Sequence, residues 1–467
     1  MNVHLLLLVV YSVGLIAVGL WIGRRVRTSR DFFVAGRQLG APLLGATVLA
    51  ANIGAGTTVG AAGLAYQDGL SAWWWNGSVA IGSVFLACWI GPKIWTIAAR
   101  HDLLTTGDYL EFRYGPAVRG VVASLVWLGS LSILAGQLIA GAAVLTVVAD
   151  IPRWAGTIAS ALVMTVYFMA GGLLSSAWVN AVQLVVLLGG LALAVPVVVS
   201  NAGGLGAIVQ SPAVPSTFSD LFYSAGAGSG LALLARLGPA FVVSPGLIQK
   251  VYGASSAGAV RLGIGVQAGI IALFGFIPAI LGMAARVVNP GIESPNLVLP
   301  TVLAEQLPTS LAALGLAAIY SAEVSTCDAI LFMLATSLSR DLYKRFVRPD
   351  ATDSQVLGVA RLSAVTGAIG GVILALVLPT VTAALGIFYA LLSASLLVPV
   401  VGGLYSRRAT SSDALRAIAA GVLTLLAVQF ATDGRGVGWI EPTLAGLIAA
   451  TFAFVVGMMW RTRTARG

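Results

Sequence analysis

Long apolar runs recur along the whole chain and limit its fold more than any other feature of the sequence. A helix needs about 20 apolar residues to cross the hydrocarbon core of a bilayer. Of the 467 residues, 58% are hydrophobic and 9% are charged, whereas a soluble domain carries roughly 25% charge. We therefore predict an all-α, polytopic integral membrane protein with about 13 transmembrane helices. The predicted spans are 3–23, 42–66, 70–95, 119–149, 153–170, 173–200, 223–249, 259–287, 309–338, 356–379, 382–405, 412–431 and 438–460.

The basic residues predict the orientation of these spans. If the N-terminus is outside, the cytoplasmic loops and span ends hold 22 of the 26 Lys and Arg residues, and the outer loops hold three. The remaining one, Arg236, falls inside a span. Basic residues favour the cytoplasmic side, so we expect the C-terminus in the cytoplasm and the protein in the plasma (inner) membrane. The net charge of +9 then reflects topology, and no nucleic-acid partner is expected.

The chain is expected to form one membrane domain, because no linker rich in Pro, Ser or charge separates off a soluble one. Its predicted segments are a first span with a cytoplasmic loop (1–41), a ten-helix core (42–406), and two C-terminal spans with a basic cytoplasmic tail (407–467). Within the core, charged and apolar residues alternate over 103–120. This alternation predicts a short amphipathic helix on the cytoplasmic face.

Two of the predicted spans contain helix-breaking residues. The second span carries Gly54 and Gly56, and the seventh carries Gly238-Pro239 and Ser244-Pro245-Gly246. Proline removes a backbone donor and clashes with the preceding turn. In transporters, interrupted helices mark substrate and ion sites near the bilayer midplane. The two interruptions are five spans apart, which predicts two inverted five-helix repeats, spans 2–6 and 7–11. The alternative is ordinary glycine packing between helices.

The ninth span contains a face that could bind a cation. Ala322, Ser325, Thr326 and Ala329 recur at offsets of three and four residues, so they share one side of a helix. Hydroxyl oxygens on this side, together with carbonyl oxygens freed in an unwound second span, would suit a small hard cation. The alternative is that the hydroxyls bond to their own helix backbone, which is common.

The sequence gives little indication of disulfide, metal-binding or enzymatic chemistry. Cys88 and Cys327 lie in apolar segments and do not suggest a disulfide, and no metal-ligand spacing or set of nucleophile, base and orienting residue marks an enzyme. Ionisable residues inside spans are functional candidates by default. Those here are Arg236, Glu323 and Asp328.

Several motifs resemble those of one transporter family. They are "SRDFFVAGRQLG" (29–40), "LAANIGAGTTVG" (49–60), "TTGDYLEFRYG" (105–115), "YFMAGGLLSSAWVNAVQ" (167–183) and "AEVSTCDAILFMLATSLSRDLYK" (322–344). Taken together and in this order, they resemble the sodium/solute symporter family, whose core has the LeuT fold. The resemblance covers nearly the whole chain. It implies a symporter, not an enzyme, that couples uptake of a small organic solute to sodium by alternating access.

The resemblance also implies a sodium site. The family's ligands correspond to the backbone oxygens of Ala50, Ile53 and Ala322 and the hydroxyls of Ser325 and Thr326. Sodium would be the co-transported ion, and no other metal is expected.

One position departs from the family pattern. Many relatives have an aspartate after a tryptophan in the fifth core helix, where this chain has Trp178-Val179-Asn180. A carboxylate instead stands at Asp328, three residues after Ser325. Asn180 and Asp328 are therefore candidates for an altered second cation or proton site, and a structural hydrogen bond between them is the alternative.

The substrate cavity is expected to involve Asn52, Thr57, Asn76, Gln137, Arg236 and Tyr389, although plain packing would explain each residue as well. Arg236 could bind a substrate carboxylate, or it could neutralise Glu323 or Asp328. An organic anion or amino acid is favoured over a sugar. The competing functions are a proton-coupled symporter of the same fold, with Asp328 as carrier, and a membrane sensor module. The sequence does not indicate an oligomeric state.

Overall fold

The computed structural model describes residues 37–169, 173–222 and 230–464, with a few isolated helical positions between 6 and 17. Within these ranges it describes no side chains at 167, 169, 173–182 and 461–464. The predicted first span, 3–23, therefore lies outside the described residues apart from those isolated positions.

The described residues are almost entirely helical. Short π-helical stretches occur at Gly56–Gly60, Leu86–Ile90 and Ser337–Val347. The α-helices in chain order are α1 (Ala41–Asn52), α2 (Ala61–Asp68), α3 (Trp73–Phe85), α4 (Gly91–His101), α5 (Thr106–Tyr114), α6 (Pro116–Ala149), α7 (Arg153–Met169), α8 (Leu173–Asn201), α9 (Leu205–Gln210), α10 (Gly230–Val243), α11 (Pro245–Tyr252), α12 (Ala257–Phe274), α13 (Phe276–Val288), α14 (Val298–Gln306), α15 (Thr309–Thr336), α16 (Asp353–Val377), α17 (Val381–Tyr405), α18 (Ser411–Ala431) and α19 (Pro442–Thr464).

The all-α membrane architecture is confirmed, and helices occupy the other twelve predicted spans. Among the described residues, ten continuous helical stretches are long and apolar enough to cross a bilayer. The second span is divided into α1 and α2, and the seventh into α10 and α11.

The first interruption lies where the glycines predicted it. Helix α1 ends at Asn52, and Ile53 is extended with φ −94° and ψ 93°. Helical backbone resumes at Gly56 as one π-turn before α2 begins. The end of α1 therefore leaves carbonyl oxygens without intrahelical partners, as every helix C-terminus does.

The second interruption lies at only one of its two predicted positions. Ser244 leaves the helical region with φ −53° and ψ 123°, and Pro245 opens α11 as its first residue. This is a position that proline tolerates, because the first amide of a helix has no intrahelical acceptor. Pro239 stays inside the continuous helix α10, so the prediction of a break at Gly238-Pro239 is wrong.

Burial separates central from peripheral helices. In the stretch Thr309–Val347, which contains α15, 94% of the most apolar part is buried, against 28% for α18. Helix α15 packs against α1, α6, α8 and α16, whereas α18 and α19 pack on each other and on α17. The cation-binding face predicted on α15 thus lies at the centre of the molecule.

The segment 103–120 is not one amphipathic helix. Helix α5 begins at a capping box formed by Thr105 and Asp108 and ends before Gly115, whose φ is +100°. Arg119 then lies in the first turns of α6, only 6% exposed. Its guanidinium forms ion pairs with three carboxylates, at 2.8 Å from Asp108, 2.8 Å from Glu111 and 2.7 Å from Asp341. This cluster joins α5, α6 and the π-helix that follows α15.

Glycine allows two pairs of helices to approach closely. A Cβ atom on Gly282 of α13 would lie 2.2 Å from the carbonyl oxygen of Ala62 in α2, and one on Gly45 of α1 would lie 2.9 Å from that of Gly263 in α12. Small residues that let backbones touch are typical of helix association in membranes.

We predict that Gly282→Ala lowers the melting temperature of the purified protein by several degrees. The new methyl group would overlap the Ala62 carbonyl, and overpacking of this kind costs roughly 1–3 kcal/mol. Gly269→Ala in α12 is the matched control, because nothing lies within 4 Å of its Cβ position. Thermal unfolding in detergent measures both variants, and equal melting temperatures would contradict the packing described here.

Candidate functional site

Oxygen atoms from the end of α1 and the middle of α15 meet at the first interruption. The Ser325 hydroxyl donates to the carbonyl of Ala50 at 2.9 Å and to that of Ala322 at 3.0 Å. The Thr326 hydroxyl lies 3.5 Å from the Ala50 oxygen and 3.4 Å from the Ile53 oxygen. The structure thus brings together all five residues predicted for sodium.

The chemistry of this oxygen cluster suits a small hard cation. Its members are three carbonyls and two hydroxyls, all neutral, and hard cations take oxygen ligands. The separations around Thr326 exceed the usual 2.7–2.8 Å of an O–H···O hydrogen bond. The hydroxyl therefore faces several carbonyls without bonding tightly to any of them, as expected of ligands arranged about a common centre.

Gly54 allows the broken backbone to approach α15. A Cβ atom at this position would lie 2.3 Å from Oγ1 of Thr326 and 2.9 Å from Oε1 of Gln137. Any side chain would push the end of α1 away from the hydroxyl that faces it. The glycine is required here for space, since its φ is not in the left-handed region.

Side chains satisfy the polar backbone groups that the interruption exposes. The Gly54 amide donates to the Thr57 hydroxyl at 2.9 Å, and the Ala55 amide donates to Gln137 Oε1 at 2.9 Å. The Thr58 hydroxyl donates to the Gly54 carbonyl at 2.8 Å. Without water in the bilayer core, an irregular backbone must find its partners within the protein, and these contacts supply them.

A small central cavity of about 40 Å³ adjoins the oxygen cluster. Four of the six predicted substrate residues line it. Its polar and aromatic lining is Asn52, Thr57, Gln137, Phe241, Ser244, Thr326, Phe388 and Tyr389. None of the described residues that line it carries an acidic or basic side chain. Asn76 does not line it, but its side-chain amide donates to the Thr57 carbonyl at 3.2 Å and so supports the interrupted helix from behind.

Arg236 lies in a different cavity, which we call the vestibule. This space of about 280 Å³ is lined by Asp68, Trp75, Arg236, Thr380 and Thr382, among others. Trp75 lines the vestibule, and Phe241 and Tyr389 line the central cavity. The Trp75 and Tyr389 ring centroids are 6.3 Å apart, and those of Phe241 and Tyr389 are 5.1 Å apart.

The partner of Arg236 is neither of the two carboxylates suggested by the sequence. Its guanidinium forms an ion pair with Glu441 at 2.9 Å, immediately before α19. The prediction that Arg236 neutralises Glu323 or Asp328 is therefore wrong. Glu441 was not considered as a partner because it lies near the start of the predicted span 438–460. A carboxylate at the end of a peripheral span would normally face water.

The remaining ionisable residues of the core are deeply buried. Glu323 is fully buried beside Thr58, and Asp328 is 7% exposed. The structure does not describe the side chain of Asn180, so the pairing of Asn180 with Asp328 stays a prediction. Lys250, which the topology assigned to the cytoplasmic span ends, is only 2% exposed; it belongs to the interior of the molecule.

Sequence reasoning missed several residues around the cavities. Phe241 and Ser244 lie beside the second interruption, and their nearness to a Pro-Gly pair was the available signal. Trp75, which lines the vestibule, carried no such signal, because a tryptophan in a predicted span is ordinary.

Comparison with known proteins decides the family. The family model described as "Sodium:solute symporter family" matches residues 32–421. The chain belongs to the sodium:solute symporter family. It is 29% identical to the sodium/pantothenate symporter of Escherichia coli (strain K12), over 97% of this chain and 96% of that protein. It is 25% identical to the sodium/glucose cotransporter of Vibrio parahaemolyticus, over 92% and 85% of the two chains.

Solved structures support the fold. A substrate-bound outward-open structure of a Na⁺-coupled sialic acid symporter superposes with a TM-score of 0.83, covering 98% of each chain at 19% identity. The protein is thus a sodium-coupled symporter of a small solute with a LeuT-type fold, and not an enzyme. Sodium is its co-transported ion.

We predict that Gly54→Ala weakens sodium binding about tenfold, which corresponds to about 1.4 kcal/mol. The new methyl group would overlap Thr326 and displace the carbonyl oxygens at the end of α1 from the oxygen cluster. The sodium concentration that gives half-maximal thermal stabilisation of the purified protein measures the effect. Gly265→Ala is the control, because its Cβ position is open. An unchanged midpoint for Gly54→Ala would show that the site does not depend on this approach.

Proposed function

We propose that the symporter binds its coupling sodium ion between the end of α1 and the middle of α15. The ligands are the carbonyl oxygens of Ala50, Ile53 and Ala322 and the hydroxyl oxygens of Ser325 and Thr326. The observation that carries this assignment is the direction of the two hydroxyls. Both turn toward the unwound end of another helix, where carbonyls have lost their intrahelical donors.

A proton-coupled symporter is the alternative, and the oxygen cluster argues against it. A proton needs one titratable group, whereas five neutral oxygens around one point serve a metal cation better. The family's sodium-coupled relatives support the same choice.

We predict that Ser325→Ala and Thr326→Ala each reduce the apparent sodium affinity at least tenfold while leaving the yield of folded protein close to wild type. Each change removes one ligand and leaves α15 intact. Ser130→Ala is the matched control, because Ser130 is also fully buried but donates to Val126 of its own helix at 2.7 Å. Sodium-dependent thermal stabilisation measures all three. Normal sodium dependence in both test variants would refute the ligand assignment.

We further propose that the substrate is a small organic anion with one carboxylate. The central cavity offers a hydrogen-bond donor that the described structure leaves without a partner, Nδ2 of Asn52. The described lining of the cavity supplies no cationic side chain, so the adjoining sodium ion would provide the positive charge that a carboxylate needs. The E. coli relative is a pantothenate symporter, and pantothenate is such an anion.

Arg236 does not add to this argument from the vestibule. It is neutralised by Glu441, although 23% of the arginine side chain is accessible, and Asp68 also lines this cavity. The described lining of the vestibule therefore carries no net positive charge that would concentrate anions.

We predict that Asn52→Asp weakens binding of a carboxylate substrate at least tenfold. The change keeps the size of the side chain but replaces the donor with an oxygen acceptor that repels the anion. Pantothenate, proline, glucose and choline, each tested with and without sodium in a thermal-shift assay, identify the class. Asn201→Asp is the control, because Asn201 is exposed and is not among the residues that line the cavity. Stabilisation by glucose alone would overturn the anion proposal.

We propose that the protein has the location and orientation that its basic residues predict. The protein lies in the plasma (inner) membrane with its N-terminus outside and its C-terminus in the cytoplasm. The ten-helix core spans 42–406, preceded by one span and followed by α18 and α19. Helices α18 and α19 pack mainly on each other and on α17, and none of their described residues lines either cavity, which supports this division.

A further inference from the structure

A third and smaller cavity shares a wall with the central one, and neither the sodium site nor the solute site explains it. We call this space of about 10 Å³ the inner cavity. It lies among α5, α6, α11, α15 and the π-helix that follows α15. A cavity needs roughly 10–15 Å³ to hold one water molecule. The inner cavity in this structure is therefore far too small for an organic solute.

The wall between the central and inner cavities is formed by Met333 of α15. Among the described lining residues, Met333 alone belongs to both cavities. Its side chain packs on the second interruption, because a Cβ atom on Gly246 would lie 3.0 Å from the Met333 sulfur. Gly246 lines the central cavity, and the neighbouring Pro245 lines the inner one. A methionine side chain is unbranched and flexible, so it can leave this position without a change in the backbone of α15.

The inner cavity is polar on the side away from the central cavity. Thr106 Oγ1 and Gln249 Oε1 are buried, and the described structure leaves both atoms without a hydrogen-bond partner. Ser337 and Asp341 also line this space. A core that stays closed is expected to pair its buried polar atoms. Polar groups without partners instead suit a passage that admits water and solute when it opens.

Ion pairs close the inner cavity at its other end. Asp341 follows Met333 by eight residues, which is about two helical turns. Its carboxylate accepts hydrogen bonds from Arg119 at 2.7 Å and from the Thr105 hydroxyl at 2.7 Å. Helix α5 packs directly against it, since a Cβ atom on Gly107 would lie 2.6 Å from Asp341 Oδ1. The proposed orientation places α5 on the cytoplasmic face, so the inner cavity lies on the cytoplasmic side of the central one.

We propose that Met333 is the inner gate of the transport path. Its side chain closes the central cavity toward the cytoplasm, and the inner cavity is the closed beginning of the exit route. The inference rests on the proposed placement of the solute in the central cavity and on the proposed orientation of the chain. Release of the solute then requires the Met333 side chain to leave Gly246. A movement of α11 at the second interruption would remove the surface on which Met333 packs.

Access of a charged, membrane-impermeant methanethiosulfonate reagent to the central cavity tests the proposal without a known solute. The reporter is Ala329→Cys, because Ala329 lines the central cavity and is not among the residues that line the inner one. The native cysteines, Cys88 and Cys327, are both replaced by alanine in every variant. With Met333 in place, the reporter should react slowly from the cytoplasmic side. Met333→Ala should raise this rate at least tenfold and leave the rate from the outer side unchanged.

The controls separate the gate from a general loosening of the fold. Met283→Ala is matched, because Met283 is 5% exposed and Met333 is 4% exposed, and Met283 is not among the residues that line either cavity. It should leave the rate unchanged. Asp350→Cys, in the exposed loop before α16, marks the side that the reagent has reached. Met333→Leu keeps most of the volume and should stay within about twofold of the parent rate.

A smaller truncation keeps the test decisive if Met333→Ala does not fold. Met333→Val should raise the cytoplasmic rate by a factor between those of Met333→Leu and Met333→Ala. A parent rate in every folded truncation, or an increase from the outer side instead, would overturn the gate. Asn52→Asp distinguishes this failure from that of the solute site. If truncation opens the path while Asn52→Asp leaves solute binding unchanged, the solute placement fails; parent rates with weakened solute binding overturn only the gate.

Discussion

The contact between the unwound end of α1 and the hydroxyls of α15 is the interaction on which the site depends. A helix that stops inside a bilayer exposes carbonyl oxygens that lipid cannot satisfy. Ser325 and Thr326 face those oxygens, and Gln137 and Thr57 bind the amides on the other side of the break. The same contacts therefore make the break tolerable and collect oxygens at one point. Stability of the interrupted helix and the sodium binding proposed for this site would therefore have one physical origin.

A cluster of hydrogen bonds ties the two interrupted spans together at one end. The Leu39 amide donates to the Gly253 carbonyl at 3.0 Å, joining the residues before α1 to those after α11. The Arg37 guanidinium also donates to the carbonyls of Tyr252 at 3.2 Å and Leu103 at 2.9 Å. Helices α1 and α11 are thereby linked at the ends that lie away from their breaks at Ile53 and Ser244. Motion of one half-helix would carry the other with it, as alternating access requires of a rigid body.

The sequence predicted the parts of the site that follow from local chemistry. Gly54 predicted the broken helix, and the Ser325-Thr326 pair predicted the oxygen-bearing face. Both predictions were possible because helix breaking and side-chain chemistry depend on short segments of sequence. The break at Ser244 rather than at Gly238-Pro239 was not decidable in this way. Proline is tolerated inside α10, and only the packing of the whole seventh span shows where its backbone leaves the helix.

Charge pairing was the part that the sequence could not give, because it is set by contacts between distant spans. Arg236 meets Glu441 from 205 residues away, and Arg119 meets Asp341 from 222 residues away. Lys250 reads as a topological charge at the end of a span until its burial against Thr47 is known. In a bilayer, a buried charge is costly unless it is paired, so each of these pairs constrains how its helices pack. Counting basic residues by side of the membrane treats such charges as solvated. Such a count applies to charges in loops and does not apply to cations that are buried in the core, such as Lys250.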